Sequence, residues 1–259
     1  MKFYEFGDKK NPVIFLLPGT CCHWKANFEN QIPLLKEKFY VVAVSYDGFD
    51  ETEKTIFTTM IDETVKIEAH IKENYNGKIF AAYGCSLGGS FVSLLVGRKN
   101  IHIDHAIIGS SDMDQSSKSV AKIETYFAGK LFGPLVTKGK TSSIMKKFLN
   151  KLTPEEKEYS DKLIKGITRN GQGCPFIKKE SIKNQFYSDL VTPVGEGIDV
   201  EGTTVHVFFA EKMGEKYEKR YKKHFKNPDI RRHNYLHEEL FYCYPQKWYQ
   251  EVLRVCGLN

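Results

Sequence analysis

The sequence predicts an α/β protein with a mostly parallel, doubly wound sheet and an inserted helical cap. Three observations carry this. Short β-branched and aromatic runs alternate with stretches of helical spacing. Several of those runs are apolar throughout, as strands covered on both faces are. The alternation lapses between about residues 114 and 202, where helix patterns occur without a convincing strand. At 259 residues the chain is long enough for one large domain with an insertion, and 41% hydrophobic with 27% charged residues excludes a fibrous or wholly disordered protein.

Strands are expected at residues 3–6, 13–17, 40–46, 79–83, 105–108 and 205–209, with a further strand-like segment at 230–235. A helix is marked by Phe57, Met60, Ile61, Val65 and Ile71, with Asp50, Glu51 and Glu53 near its start, where the macrodipole favours acids. A second begins at Leu87 and carries Phe91, Leu94 and Leu95; the last carries Leu240, Phe241, Trp248, Val252 and Val255. Within the insertion, Thr153-Pro154-Glu155-Glu156 is a capping box with proline at N1, followed by Tyr159, Leu163 and Ile167 on one face, and Gly171-Gln172-Gly173-Cys174-Pro175 is a break. The expected organisation is a core formed by residues 1–113 and 203–259, with residues 114–202 inserted as a helical cap.

The start of the chain has no apolar run behind a basic one, residues 13–17 are far too few to span a bilayer, and no Asn-x-Ser/Thr acceptor occurs, so a cytoplasmic protein is expected. Six cysteines without a CxxC pair read as buried free thiols rather than a disulfide framework or a zinc site. The net charge of +6 is uneven: residues 118–183 hold fifteen Lys/Arg against six Asp/Glu, so the remainder is slightly acidic. Those lysines suit solvated helix faces or a weak contact of the cap with an anionic surface; they follow no nucleic-acid-binding motif. No HExxH, GxGxxG or P-loop lysine is present, and neither a metal nor another cofactor is expected.

The sharpest motif is Gly84-Cys85-Ser86-Leu87-Gly88-Gly89, placed between the apolar run ending at Tyr83 and the helix through Phe91. A serine on so tight a strand-to-helix turn exposes its Oγ, the glycines leave room for crowded backbone, and the helix N-terminus turns unpaired N–H groups towards a developing negative charge. With Val13-Ile14-Phe15-Leu16-Leu17-Pro18-Gly19-Thr20 upstream and a histidine late in the chain, the sequence resembles the α/β-hydrolase superfamily, with Pro18 where the family usually writes histidine. The resemblance implies a sheet of the α/β-hydrolase type, Ser86 as nucleophile, and an oxyanion hole made by the backbone N–H groups of Thr20 and Leu87. His237, in Asn234-Tyr235-Leu236-His237-Glu238-Glu239-Leu240, matches the family's late histidine and is the expected base; His23 is expected to be pocket wall or core.

The acid is open. Its usual turn reads Ala210-Glu211-Lys212-Met213-Gly214, with Met213 at the acidic position. Glu211 is one candidate, and Asp112, after the strand at 105–108, is another; Asp114 and Glu215 are more distant options. What the resemblance implies is a serine hydrolase working through an acyl-enzyme on a small-molecule acyl substrate, a carboxylic ester first. A lactone, thioester or peptide is the alternative at the same site, and a non-catalytic binding protein on this fold is the alternative of a different class.

Overall fold

The computed structural model describes residues 1–258. Seven strands form one sheet: β1 (Lys2–Phe6), β2 (Val13–Leu17), β3 (Tyr40–Ser45), β4 (Lys78–Gly84), β5 (His102–Ile108), β6 (Thr204–Ala210) and β7 (Asp229–His233). Their order is β1-β3-β2-β4-β5-β6-β7, with β1 antiparallel to β3 and every other pairing parallel. The inner strands β2 and β3 are almost wholly apolar because both faces are covered, whereas the edge strands β1 and β7 carry charged residues. Phe15 and Leu17 of β2 enter one core with Val42 and Val44 of β3, whereas Ile14 and Leu16 enter the other with Val41 and Ala43.

Helices α3 (Met60–Tyr75), α4 (Leu87–Arg98) and α9 (Glu215–His224) cover the first face. Helices α1 (Trp24–Asn27), α2 (Ile32–Leu35), α10 (Glu239–Cys243) and α11 (Pro245–Val255) cover the second, with Phe28, Phe241 and Trp248 fully buried among them. Between β5 and β6 run α5 (Lys118–Lys138), α6 (Ser143–Leu149), α7 (Pro154–Thr168) and α8 (Lys179–Val191) without a strand.

Two helix expectations need correction. The helix marked by Phe57 and Ile61 starts only at Met60, where the Thr59 side chain accepts from Asp62 N; Asp50 and Glu53 lie in the preceding loop, bound to Tyr4 and to the N-terminal amine. It buries Met60, Glu63, Ile67 and Ile71 and leaves Ile61 and Val65 exposed; the buried Glu63 carboxylate accepts from Asp47 N and from Lys66 Nζ. The last helix is two helices, α10 and α11. Pro245 drives Tyr244 out of the helical region, to φ −131° and ψ 58°, and the chain turns there. The capping box at Thr153 forms as expected, with both reciprocal hydrogen bonds present.

Among the described residues no helix is long and apolar enough to cross a membrane. All six cysteines are free thiols, and five of them are buried.

Candidate active site

The site lies at the carboxyl edge of the sheet, where β4 is flanked by β2 and β5: Gly84 pairs with Leu17 on one side and with Ile108 on the other. The turn from β4 into α4 leaves no room for larger residues. A Cβ at Gly84 would meet the Gly88 carbonyl at 2.1 Å, and one at Gly88 would meet Leu17 O at 2.1 Å. The chain can therefore cross its own strand only through glycine, and the residue at the apex takes the strain. Ser86 has φ 50° and ψ −116°, a conformation that costs about 1–3 kcal/mol and persists only where its surroundings enforce it.

Ser86 Oγ lies 3.0 Å from His237 Nε2, in hydrogen-bond contact across 151 residues of sequence. The histidine loop is fixed on three sides. Leu236 N donates to Glu239 Oε2 at 2.7 Å, the Tyr159 hydroxyl from α7 donates to His237 O at 2.8 Å, and the next residue, Glu238, points its side chain under the elbow.

Glu238 is the site residue that sequence reasoning missed. It is 3% exposed and adopts a left-handed backbone at φ 55°. Its Oε1 accepts from Ser86 N and from Ser110 N, both at 2.7 Å, and its Oε2 accepts from the Tyr83 hydroxyl at 3.2 Å. One carboxylate thus joins the Ser86 amide, the turn after β5 and strand β4. Gly109 is glycine for the same reason, since a Cβ there would come within 2.5 Å of Glu238 Oε1. Two successive glutamates ahead of an apolar run look like first-turn helix acids, and nothing local distinguishes the buried one.

Neither expected acid is hydrogen-bonded to His237. Asp112 accepts from Asp114 N, its carbonyl accepts from Arg220, and its charge faces Asp189 of α8, whose carboxyl is pushed well above the usual range by burial and by Asp112. Glu211 is exposed at the start of a single 3₁₀ turn, which carries it away from the sheet edge along with Met213. Asp114 is in an ion pair with Arg220 at 2.5 Å, and Glu215 opens α9.

The backbone donors around the serine fall into a pattern. At the elbow the N–H groups of Ser86, Gly88 and Gly89 donate to Glu238, Cys85 O and Ser86 O, and among the described residues only Leu87 N is left without a protein acceptor there. In the loop after β2, Gly19 N donates to Asn27 Oδ1 at 2.8 Å, Cys21 N to Gln185 Oε1 at 2.6 Å and Cys22 N to Gly19 O at 3.1 Å, which leaves Thr20 N unpaired among the described residues. Two free N–H groups therefore flank Ser86, one at the start of α4, where the helix dipole adds its positive end.

A cavity of about 200 Å³ opens over these groups, with Ser86, His237, Thr20 and Glu238 on its floor. The inserted helices supply an apolar wall: Phe132 from α5, Leu163 and Ile167 from α7, and Phe186 from α8. The thiols beside the site are inert at neutral pH. Burial pushes the Cys85 thiol well up and the Cys22 thiol up to about 12. His23 is buried against Trp24 and Phe176, with both ring nitrogens unpartnered, and burial lowers it to about 4. Among the described residues no group of three His, Cys, Asp or Glu side chains is placed to hold a metal.

This sheet order, with a strained serine turn after the central strand and helices inserted before β6, is the α/β-hydrolase fold. No family model and no curated protein matches the chain in sequence. Solved structures match its fold over nearly the full length. An alpha/beta hydrolase family protein from Desulfitobacterium hafniense has a TM-score of 0.75 at 17% identity, covering 98% of this chain and 99% of that one. A thermophilic esterase from Thermogutta terrifontis has a TM-score of 0.73 at 16% identity, covering 98% and 91%. An enol-lactonase from Burkholderia xenovorans LB400 has a TM-score of 0.71 at 12% identity, covering 99% and 96%.

Proposed function

We propose that the protein is a serine hydrolase that forms an acyl-enzyme on a small carboxylic ester. The observation that carries this reading is the 3.0 Å contact between Ser86 Oγ and His237 Nε2 at a turn flanked by the unpaired N–H groups of Thr20 and Leu87. Ser86 Oγ attacks the ester carbonyl while its proton passes to His237 Nε2, and the carbonyl oxygen takes the electron pair and lies against the two N–H groups. Collapse breaks the bond to the alkoxy group, which leaves with the proton from His237; water, deprotonated by the same nitrogen, then releases the acid and restores the serine.

Glu238 takes the place in this scheme that a carboxylate on His237 Nδ1 would otherwise fill. It positions the serine amide and the histidine loop together. The inserted helices serve as the cap of the site. A cavity of about 200 Å³ falls below the roughly 300–1,000 Å³ of drug-sized sites, which suits a small acyl group against Phe132, Leu163 and Phe186. Lactone, thioester and peptide carbonyls meet the same geometry, and the enol-lactonase and esterase of similar fold are consistent with this range.

A second reading, a non-catalytic binding protein, is favoured by the lack of a hydrogen-bonded acid on His237. A fluorophosphonate probe separates the two. Labelling of the wild type that is lost in Ser86→Ala, with a burst of alcohol release from a chromogenic short-chain ester, supports the hydrolase. An unlabelled, folded wild type overturns it. A panel of esters, lactones, thioesters and peptides then ranks the carbonyl class.

A further inference from the structure

Helix α5 is apolar on two opposite sides, and among the described residues only one of them is covered. Ala121, Thr125, Leu135 and Val136 face inward and are buried, and Phe132 reaches the cavity over Ser86. On the outward side Val120, Ile123 and Phe127 follow one another at the i, i+3, i+7 spacing of a single stripe, 46%, 60% and 62% exposed, with Tyr126 beside them at 51%. Four of the seven large hydrophobic side chains most exposed among the described residues therefore fall within eight positions of one helix. Scattered exposed apolar residues are ordinary, but a contiguous stripe marks a surface made to be covered.

The surroundings of the stripe say by what. A groove of about 400 Å³ between α5 and α8 begins at Tyr126, next to the stripe, and Lys130, Lys138, Lys179 and Lys183 line it without an acidic residue. Lys183 packs across Gly129, where a Cβ would come within 3.6 Å of its Cγ, and Lys130 lies 4.3 Å from the Tyr126 ring centroid. Lys118 and Lys122 add charge at the start of the helix, whose one acid is Glu124. A second copy of the chain docked here about a twofold axis would bring these lysines against their own counterparts, which repel. An anionic lipid surface instead meets the lysines with phosphate and the stripe with acyl chains, the arrangement of a helix lying in the bilayer interface.

We infer that the outward face of α5, with the lysine-lined groove beside it, docks the protein on membranes rich in anionic phospholipid, Ile123 and Phe127 entering the acyl boundary and Lys130 and Lys183 contacting headgroups. Membrane docking in this form is independent of whether Ser86 is reactive.

The test is co-sedimentation of the full chain with vesicles of phosphatidylcholine alone or with phosphatidylserine added, over a range of salt. The wild type is expected to partition to the anionic vesicles at least about tenfold more than to the neutral ones, and less as salt rises. Ile123→Asp with Phe127→Asp, and separately Lys130→Glu with Lys183→Glu, are each expected to lower partition by about tenfold or more at an unchanged unfolding temperature. Glu124→Lys, which adds a cation beside the stripe, is expected to raise it by about fivefold. Three results overturn the inference: no binding to anionic vesicles at low salt; binding untouched by the Ile123/Phe127 pair, which would be unspecific adsorption of a basic surface; and a wild-type oligomer that the Ile123/Phe127 pair turns into a monomer, which would make a second copy the occupant.

Discussion

At the scale of single residues, Glu238 shapes the site as much as Ser86 and His237 do. Its carboxylate takes two backbone N–H bonds and one hydroxyl bond, so its removal leaves three donors, the amides of Ser86 and Ser110 and the Tyr83 hydroxyl, without this acceptor. Each orphaned donor costs about 1–3 kcal/mol, and Glu238→Ala is accordingly expected to lower stability by about 2–5 kcal/mol, measured by chemical denaturation. Glu238→Gln keeps an acceptor oxygen while removing the charge. It is expected to stay folded and to lose kcat about tenfold or more with KM little changed, a split that a purely structural role would not produce. Ser86 and His237 were legible in the sequence because each announces itself locally, one as a glycine-flanked serine behind an apolar run, the other as a histidine after the last strand. Glu238 was not legible. Its importance comes from three donors contributed by β4, the elbow and the turn after β5, segments that meet only in the folded sheet. Glu211 and Asp112 were readable as carboxylates near the right strands, but which way a turn carries its side chains depends on packing, and here it carries them elsewhere.

At the scale of elements, the inserted helices are tied into the site by polar contacts as well as by their apolar wall. Gln185 of α8 accepts Cys21 N in the loop that presents Thr20, and Tyr159 of α7 donates to the carbonyl of His237. Gln185→Met, close in shape but without the acceptor, is expected to free a buried Cys21 N–H, to lower the unfolding temperature by a few degrees and to reduce ester turnover about tenfold, read from kcat and a thermal scan side by side. The existence of these helices was legible from their 3.6-residue spacing and from the capping box at Thr153. Their attachment was not, since Gln185 sits in a helix of weak amphipathic pattern and its partner lies 164 positions away. The break at Pro245 illustrates the opposite error: the apolar spacing runs on through it, while proline stops the helix by geometry that hydrophobic pattern does not register.

At the scale of the whole molecule, burial of histidines sets how the fold responds to acid. His23 falls from its ordinary 6.5 to about 4, and His70, His105, His206 and His233 are all lowered, each chiefly by burial. A histidine whose pKa is depressed in the folded state stays neutral there while the unfolded chain takes up the proton, so stability is full above about pH 6.5 and is lost as pH falls towards 4. Asp189, raised in the folded state, works with the opposite sign and blunts the trend. Denaturation curves across this window are expected to show falling stability, and His23→Phe, which fits the aromatic surroundings of Trp24 and Phe176, is expected to flatten the slope at roughly 1.4 kcal/mol per unit of depression removed. The sheet itself was the most legible feature at this scale. The six expected strands and the strand-like segment at 230–235 became the seven strands, the inner ones legible because strands covered on both faces are written largely in apolar residues, the charged edge strand β7 only as an extended run after β6. That order, which brings β4 beside both β2 and β5, is not written in any one run.

The distance in sequence between Ser86 and His237 has a consequence for how the protein is made. Translation delivers the serine turn early, then the inserted helices, and the histidine loop only after the last strand. A growing chain on the ribosome therefore carries Ser86 without His237 beside it, and without the Glu238 carboxylate that accepts its amide, until at least 151 further residues have been made. On the function proposed above, Ser86 becomes reactive only once β7 and the loop carrying His237 and Glu238 have docked against β4, so folding of this late segment and onset of chemistry coincide.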